Sequence, residues 1–296
     1  MPRPARFRYR RHSTGMVVGV VVMLLSLTPC QGRAQERSFP YDLGSRDKVI
    51  APTGLAVTAL GLYLVSQDDP ITLEQITALD RENVNGFDRG ATYNWSPDWD
   101  TFADWSKNTL LAASVLVPGT SLVLDGEWSD GLTLGAMFLE TLSLHMGVTA
   151  TAKALAGRTR PYAYNTAFTP EERYAIAGPD DASVNRSFFS GHTSMAFAAA
   201  TFLSTVYGDV HGPTTTSKVI WASSLSLAAL TAVARVEAGM HFPTDVITGA
   251  VVGSAIGYLI PRLHRVGADH GVSISAGPGS VGIRLAVGGR ADVPSR

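Results

Sequence analysis

The amino-acid sequence predicts an all-α protein, a bundle of six helices followed by a short C-terminal β-hairpin. Apolar segments of helix length, rich in Ala, Leu, Val and Gly, recur along the chain with polar loops between them, which is the pattern of packed helices. Near the C-terminus apolar residues alternate with a period of two around Gly277-Pro278-Gly279-Ser280, which favours two strands joined by a turn. The six helical segments are Val49–Ser66, Thr109–Leu124, Gly131–Ala150, Ser194–Tyr207, Lys218–Val236 and Val246–Ile260.

Residues 1–34 have the order of a secretory signal peptide. Arginines are frequent in the first eleven residues, an apolar run follows from Met16 to Leu27, and the small residues Gly32 and Ala34 occupy the −3 and −1 positions of a cleavage site. We expect cleavage after Ala34, and an uncleaved membrane anchor is the alternative. Both place the protein in the cell envelope, in the membrane or the periplasm.

The composition excludes several classes of protein. Cys30 is the single cysteine, so an internal disulfide framework and a CxxC metal or redox site are excluded. Removing residues 1–34 leaves 18 basic and 25 acidic residues, a formal charge of −7. An acidic protein of this kind lacks the electrostatic footprint of a nucleic-acid-binding protein, so no nucleic-acid partner is expected.

Whether the helices cross a bilayer is left open by the sequence. Several apolar segments are near the lower limit of about 17 residues for a span, and Glu140 and His145 would be costly if they faced lipid. Gly249, Gly253 and Gly257 recur at intervals of four in the last segment, a spacing that allows close backbone approach in membrane helices and in tightly packed soluble helices alike. We favour membrane association, with a secreted helical bundle as the alternative.

A polar, acidic stretch, Gln67–Asn108, separates the first two helical segments. Its aromatic residues favour ordinary loop packing, with an interfacial belt or a cap over a cleft as the alternatives. The chain is thus divided into a targeting segment (1–34), an N-terminal helix with the acidic loop (35–108), a helical core (109–265) and a tail (266–296).

Two cations follow the third helical segment. Lys153 is placed in the last helical turn, Gly157 is a suitable stop, and Pro161 forces Arg160 toward an extended conformation. A lysine and an arginine presented together at a helix end suit the binding of phosphate. Taken alone, such a pair is more often solvated or flanks a membrane.

The segment from Ser187 to Ser194 precedes the fourth helical segment directly. The turn formed by Ser190 and Gly191 offers a hydroxyl and free backbone N–H groups at a helix N-terminus, and the helix dipole adds to their attraction for an anion. His192 is placed to donate a proton to a group that leaves this anion. A serine N-cap beside an incidental histidine is the structural alternative.

A third cluster lies between the last two helical segments. Arg235 closes one helix, and His241 and Asp245 follow at a spacing of four residues around Pro243. The Asp245 carboxylate can then reach one imidazole nitrogen of His241 and leave the other free to attack. On its own, a histidine and an aspartate at this spacing are commonplace and mostly structural.

In this order and spacing, the three clusters resemble the signature of the type 2 phosphatidic acid phosphatase (PAP2) and vanadium haloperoxidase superfamily. The resemblance covers roughly residues 109–260 and implies the six-helix bundle of that superfamily. It implies that His241 forms a phosphohistidine, that Asp245 orients it, and that His192 protonates the leaving group. No metal and no cofactor are implied, because cations supply the charge stabilisation. The implied phosphate-binding residues are Lys153, Arg160, Ser190, Gly191 and Arg235.

Two residues depart from the pattern of the superfamily. Phe189 stands where a proline usually precedes the Ser-Gly-His motif, and Ala234 stands where a serine usually precedes the third-motif arginine. Neither departure removes a catalytic group. The remaining histidines match no motif and are interpreted as structural: His12, His145, His211, His264 and His270.

The resemblance implies hydrolysis of a phosphomonoester or diphosphate. By analogy with the superfamily, the apolar helices around the motifs favour a lipid-linked substrate such as phosphatidate, a polyprenyl diphosphate or lipid A, over a soluble small molecule. The alternatives are a secreted acid phosphatase, a vanadate-dependent haloperoxidase and a non-catalytic envelope scaffold. In membrane members three spans precede the first motif, and the active site faces the periplasm. A cleaved signal peptide followed by three spans would place Lys153 in the cytoplasm, so these expectations cannot all hold.

Overall fold

The computed structural model describes residues 39–125, 128–178, 181–266, 272–277 and 280–285. The signal peptide and its cleavage site, predicted at residues 1–34, lie outside these ranges. Within them are eight α-helices rather than six, because two short helices occupy loops between the long ones. The helices are α1 (Asp47–Val65), α2 (Leu73–Thr77), α3 (Pro97–Asp125), α4 (Trp128–Ala156), α5 (Pro170–Ala177), α6 (Gly191–His211), α7 (Thr215–Glu237) and α8 (Pro243–Leu263).

Helix α3 begins twelve residues earlier than the predicted segment Thr109–Leu124. Pro97 is the first helical residue, and Asp98 and Asp100 lie in the first turn, where a proline and negative charges both favour a helix start. The second part of the acidic stretch that was predicted as a loop is therefore helical. This correction places Asp100 and Asp104 on a rigid element.

Helices α1 and α4 run side by side through contacts between small residues. A side chain at Gly147 would place its Cβ 2.5 Å from the backbone nitrogen of Thr58, and one at Gly61 would come within 2.8 Å of Ala150. The Thr58 hydroxyl donates to the Ser143 carbonyl at 2.6 Å. These contacts fix the height of α1 against α4, and α4 carries Lys153.

The three glycines spaced by four residues in α8 are the contact between α8 and α6. A Cβ at Gly253 would lie 2.0 Å from the carbonyl oxygen of Ser194, and one at Gly257 would lie 2.2 Å from that of Ala198. A Cβ at Gly249 would lie 2.7 Å from the carbonyl oxygen of Ser190. Since each step along α8 matches a step in the same direction along α6, the two helices are parallel and begin together at one end of the bundle.

Aromatic and aliphatic side chains fill the space between α4, α6 and α8. Met137 and Phe202 are fully buried there, with Leu134, Val206 and Ile260 around them. Burial of side chains of this size contributes about 1.5–3 kcal/mol each. The packed core holds the ends of the three helices in a fixed relation, and the predicted site residues lie at those ends.

Three helices in the described ranges, α1, α7 and α8, are long and apolar enough to cross a membrane. They expose large apolar side chains such as Leu55 at 64%, Leu230 at 49% and Val251 at 65%. Exposed leucine and valine side chains of this number on long apolar helices indicate a surface suited to an apolar environment. Helices α1, α7 and α8 thus support the expected membrane association.

Two short strands lie in the tail, where the alternating apolar pattern is found. Strand β1 (Val272–Gly277) pairs with strand β2 (Ser280–Leu285) in antiparallel register, with Gly277 opposite Ser280. The strands pair only with each other within the described part of the chain.

Candidate active site

The three predicted clusters meet at one end of the bundle, and backbone hydrogen bonds tie them together. The Ser190 amide donates to the Asp245 carbonyl at 3.1 Å, which joins the starts of α6 and α8. The segment after α4 is joined to the segment before α6, because the Ser187 amide donates to the Arg158 carbonyl at 2.9 Å. Residues far apart in the sequence thus become neighbours.

Lys153 presents its amine beside the first residue of α6. Its Nζ donates to the Arg186 carbonyl at 3.1 Å, and a Cβ at Gly191 would lie 3.9 Å from the same nitrogen. Burial, together with the positive charges of Arg160 and Arg235, lowers the pKa of Lys153 to about 7. Keeping the Lys153 amine protonated in these surroundings costs free energy, and a bound anion would offset that cost.

The two arginines of the predicted cradle are held by different contacts. Arg160 donates from Nε to the Ser183 carbonyl at 2.9 Å. Arg235 is 3% exposed and pairs through Nη1 with Asp100. Its Nε is buried and has no hydrogen-bond partner among the described residues. An unsatisfied, buried guanidinium donor calls for an acceptor, and a phosphate oxygen is an acceptor of the right charge.

The nucleophile expected from the sequence, His241, is 1% exposed. Its Nδ1 lies 2.7 Å from the Ser187 carbonyl oxygen and 3.7 Å from the nearer Asp245 oxygen. A carbonyl can only accept, so Nδ1 carries the proton and Nε2 carries the lone pair. Burial and neighbouring cations, Arg235 first among them, lower the pKa of His241 well below its usual range. The imidazole is therefore neutral at neutral pH, with a free lone pair on Nε2.

The direct contact predicted between Asp245 and His241 is replaced by an indirect one. The Asp245 carboxylate is fully buried and accepts from the Ser187 hydroxyl at 2.6 Å and from the Phe242 amide at 2.9 Å. Its other oxygen accepts from Arg158 at 2.5 Å. Asp245 thus fixes Ser187, and the carbonyl of Ser187 orients the imidazole.

Arg158 and Asp88 extend this network, and the sequence analysis missed both. Arg158 donates to Asp88 at 2.7 Å and lies over the ring of Phe242 at 4.0 Å from its centroid. Asp88 also accepts from the backbone amide of Thr244 at 3.0 Å and from its hydroxyl at 2.7 Å. The network fastens the first turn of α8. The position of Arg158, two residues before Arg160 in the first cluster, could have indicated a role in the site. Nothing in the local sequence distinguishes Asp88.

His192 has a partner that the sequence did not indicate. Its Nε2 lies 2.7 Å from Asp104 on α3, and Lys107 lies 3.3 Å from the same carboxylate oxygen. The hydrogen bond from His192 lowers the pKa of Asp104 to about 2. Burial, helped by Arg235 and Lys107, lowers the pKa of His192 to about 3 although Asp104 opposes this. A neutral His192 therefore donates from Nε2 to an ionised Asp104, and its lone pair is on Nδ1.

Ser190 is the N-cap of α6. Its side-chain oxygen accepts from the Thr193 amide at 3.4 Å and from the Thr193 hydroxyl at 3.0 Å. Ser190 thus has the structural role of a helix N-cap that was the alternative for this residue. Its own hydroxyl hydrogen is not consumed by these two bonds, which leaves a donor for an anion at the helix start.

A cavity of about 450 Å³ opens at this end of the bundle. Lys153, Arg160, Gly191 and His192 form part of its wall, and His241 is not among the lining residues. Helices α1, α3, α4 and α6 contribute an apolar wall. The apolar lining residues are Leu62, Val65, Leu111, Met146, Ala150 and Met195.

His145, which matches no motif and was predicted to be structural, lies in the wall of the same cavity. It is 4% exposed, its Nε2 lies 3.3 Å from the Thr149 hydroxyl, and its Nδ1 is buried without a hydrogen bond among the described residues. His145, Thr149 and Lys153 follow one another at intervals of four, so they form one polar stripe along α4.

Comparison with known proteins agrees with the motifs. The PAP2 superfamily model matches residues 134–267, which include every predicted site residue. The predicted resemblance to the PAP2 superfamily is confirmed over this range. Among solved structures, the crystal structure of the first transmembrane PAP2 type phosphatidylglycerolphosphate phosphatase from Bacillus subtilis matches at 17% sequence identity, 70% coverage of this chain, 93% coverage of that chain and a TM-score of 0.44. The search of curated proteins gave no match.

Proposed function

We propose that the protein is a metal-independent phosphatase that hydrolyses a lipid-linked phosphomonoester or diphosphate through a phosphohistidine on His241. The observation that carries the proposal is the cavity, in which cations at the start of α6 adjoin an apolar wall made by four helices. The superfamily match over residues 134–267 supports the phosphatase class.

The phosphate would lie between Lys153, Arg160 and Arg235, with the backbone N–H groups at Gly191 at the start of α6. Three cations and a helix N-terminus stabilise the charge that spreads over the phosphoryl oxygens as the bond to the leaving group breaks. Arg235 Nε, buried and without a partner in the described part of the chain, supplies one of these hydrogen bonds.

In the first step the lone pair on Nε2 of His241 attacks phosphorus, the bond from phosphorus to the leaving oxygen breaks, and His192 gives a proton to that oxygen. A bound phosphate dianion offsets the neighbouring cations and, with Asp104 at 2.7 Å, favours the protonated form of His192 that this step needs. In the second step His192 takes a proton from water, the water oxygen bonds to phosphorus, and the phosphorus–nitrogen bond breaks. Phosphate leaves and both histidines are restored.

The walls of the cavity support a lipid as the leaving group. Apolar side chains from α1, α3, α4 and α6 extend from the cations, and α1 exposes further apolar residues on its outer face. A lipid whose phosphate reaches the cations would bury its first methylene groups against Leu62, Leu111 and Met195, at about 0.8 kcal/mol per methylene. We place the protein in the cell envelope with this cavity facing the periplasm, where a targeting segment at residues 1–34 would direct it.

A phosphate-release assay on the purified full chain tests the proposal. Phosphatidate, polyprenyl diphosphate and a soluble phosphomonoester are compared in detergent with EDTA present. Activity should survive EDTA, favour the lipids, and be inhibited by vanadate, because a five-coordinate vanadate on His241 resembles the transition state. His241→Ala should abolish turnover, His192→Ala should lower it about 10²–10⁴-fold, and His211→Ala, at the far end of α6, should have no effect.

Trapping of the intermediate separates the mechanism from other phosphatase chemistry. Rapid quenching with a labelled substrate should give an acid-labile phosphoryl group on the wild-type chain and none on His241→Ala. Full activity of His241→Ala, or loss of all activity in EDTA from a chain that remains folded, would refute the mechanism. Halide oxidation by the vanadate-loaded protein without any phosphate release would favour the haloperoxidase alternative.

A further inference from the structure

Three ionisable side chains from distant parts of the chain meet away from the cavity. His264 Nε2 lies 2.6 Å from an Asp47 oxygen and 3.2 Å from a Glu140 oxygen. The three candidate ligand atoms all lie within 4.8 Å of one another. We call Asp47, Glu140 and His264 the distal triad. Glu140 precedes Lys153 by thirteen residues in α4, which is about 20 Å along the helix axis, so the distal triad is separate from the phosphate site.

The ring of His264 is oriented by a hydrogen bond to a backbone carbonyl, as the ring of a metal-binding histidine often is. Its Nδ1 lies 2.8 Å from the Ile260 carbonyl oxygen, so Nδ1 carries a proton and donates it. Nε2 is then directed at the two carboxylates. A backbone carbonyl that fixes one ring nitrogen and leaves the other for the ion is the usual outer contact of a histidine ligand.

Glu140 provides an independent observation. It is 6% exposed, and its Oε2 has no hydrogen bond among the residues that the structure describes. The nearest donor, His264 Nε2, lies 3.2 Å from this oxygen and forms its shorter hydrogen bond with Asp47, at 2.6 Å. A buried carboxylate oxygen that shares its nearest donor with a closer acceptor is poorly stabilised. A divalent cation between the three side chains would satisfy Glu140 and Asp47 together.

We propose that the distal triad binds a first-row divalent cation of the Zn²⁺ class. One imidazole nitrogen and two carboxylate oxygens are the ligand set that Zn²⁺ accepts, at about 2.0–2.2 Å. The ion would join the first residue of α1, the middle of α4 and the residue that follows α8. Its role is therefore structural, and removal of the ion should lower stability without altering the chemistry at His241.

The test uses the full chain with a tag that contains no histidine. After EDTA treatment and dialysis, Zn²⁺ and Co²⁺ are added back, and the metal content is measured by mass spectrometry. We expect one equivalent of Zn²⁺, visible Co²⁺ absorption bands, and a rise in the melting temperature of about 5–10 °C at 100 times the dissociation constant. Glu140→Gln, which keeps the shape of the side chain, should lose the bound metal and the rise.

Asp209→Asn is the matched control. Asp209 lies at the end of α6, where it accepts from Tyr41 at 2.7 Å and from Arg265 at 2.8 Å, and it is outside the distal triad. This variant should still bind one equivalent, even if its melting temperature falls. A wild-type chain that takes up no Zn²⁺, shows no Co²⁺ bands and melts identically with and without metal would refute the site and leave the distal triad as an ion-paired network. Binding that persists unchanged in Glu140→Gln would equally overturn it.

Discussion

Replacement of Asp104 by asparagine tests whether the hydrogen bond between His192 and Asp104 supports proton donation to the leaving group. Asp104 accepts a hydrogen bond from His192 at 2.7 Å, and its charge favours the protonated imidazole that the leaving group needs. A hydrogen bond to a charged group contributes about 1.5–3 kcal/mol. Since the Asp104 side chain is 42% exposed, water screens it and the lower end applies. A loss of about 1.5 kcal/mol corresponds to about a tenfold fall in kcat.

The dependence on the leaving group distinguishes a lost proton donor from general damage. An alkyl phosphate needs its leaving oxygen protonated, whereas p-nitrophenyl phosphate loses a stable phenolate and does not. Asp104→Asn should therefore slow the alkyl phosphate about tenfold and the p-nitrophenyl ester by much less. The control is Asp98→Asn, which removes an exposed carboxylate from the first turn of the same helix. Equal losses on both substrates, or the same loss in Asp98→Asn, would show that Asp104 does not act through His192.

Three further outcomes follow from the structure. Because the pKa of Lys153 is lowered to about 7, kcat/KM should fall above this pH as the amine loses its proton. Lys153→Arg should abolish this fall, and a fall that persists in the variant would assign it to another group. Gly253→Ala places a Cβ 2.0 Å from a backbone oxygen of α6 and should cost about 1–3 kcal/mol of unfolding free energy, whereas Gly135→Ala, with nothing within 4 Å, should not destabilise. His145→Leu should raise KM for substrates with a second polar group near the phosphate and leave KM and kcat for a simple alkyl phosphate unchanged. The same change in KM for both substrates, or no change, would contradict a contact between His145 and the headgroup.

The parts of the site that are local in sequence could be predicted. Lys153 with Arg160, and Ser190 with His192, stand within a few residues of a helix end, so the helical pattern alone places each pair. The glycines at intervals of four in α8 also predicted a close helix contact, although neither its partner α6 nor its parallel direction could be read from them. The short helices in the loops escaped prediction because α2 has five residues and α5 has eight, too few for a hydrophobic period to show.

The partners that complete the site could not be predicted, because they come from the acidic stretch Gln67–Asn108, which precedes α3 and forms its first turns. Asp88, Asp100 and Asp104 pair with Arg158, Arg235 and His192 respectively across long distances in sequence. Among the many acidic residues of this stretch, no local pattern marks the three that pair with the site residues. The same limit applies to the distal triad, since His264 matched no motif and Glu140 meets it only after the bundle has formed.

The shared starting point of α6 and α8 has a consequence for the balance between stability and affinity. Parallel helices that begin together also place the positive ends of two peptide dipoles together, at the end of the bundle that already holds Lys153 and Arg160. These positive potentials repel one another, and the glycine contacts do not let the helices move apart. A bound oxyanion offsets that repulsion. Part of the free energy of oxyanion binding therefore comes from removing an unfavourable interaction in the folded protein. Bound phosphate should therefore stabilise the folded protein, and its addition should raise the melting temperature.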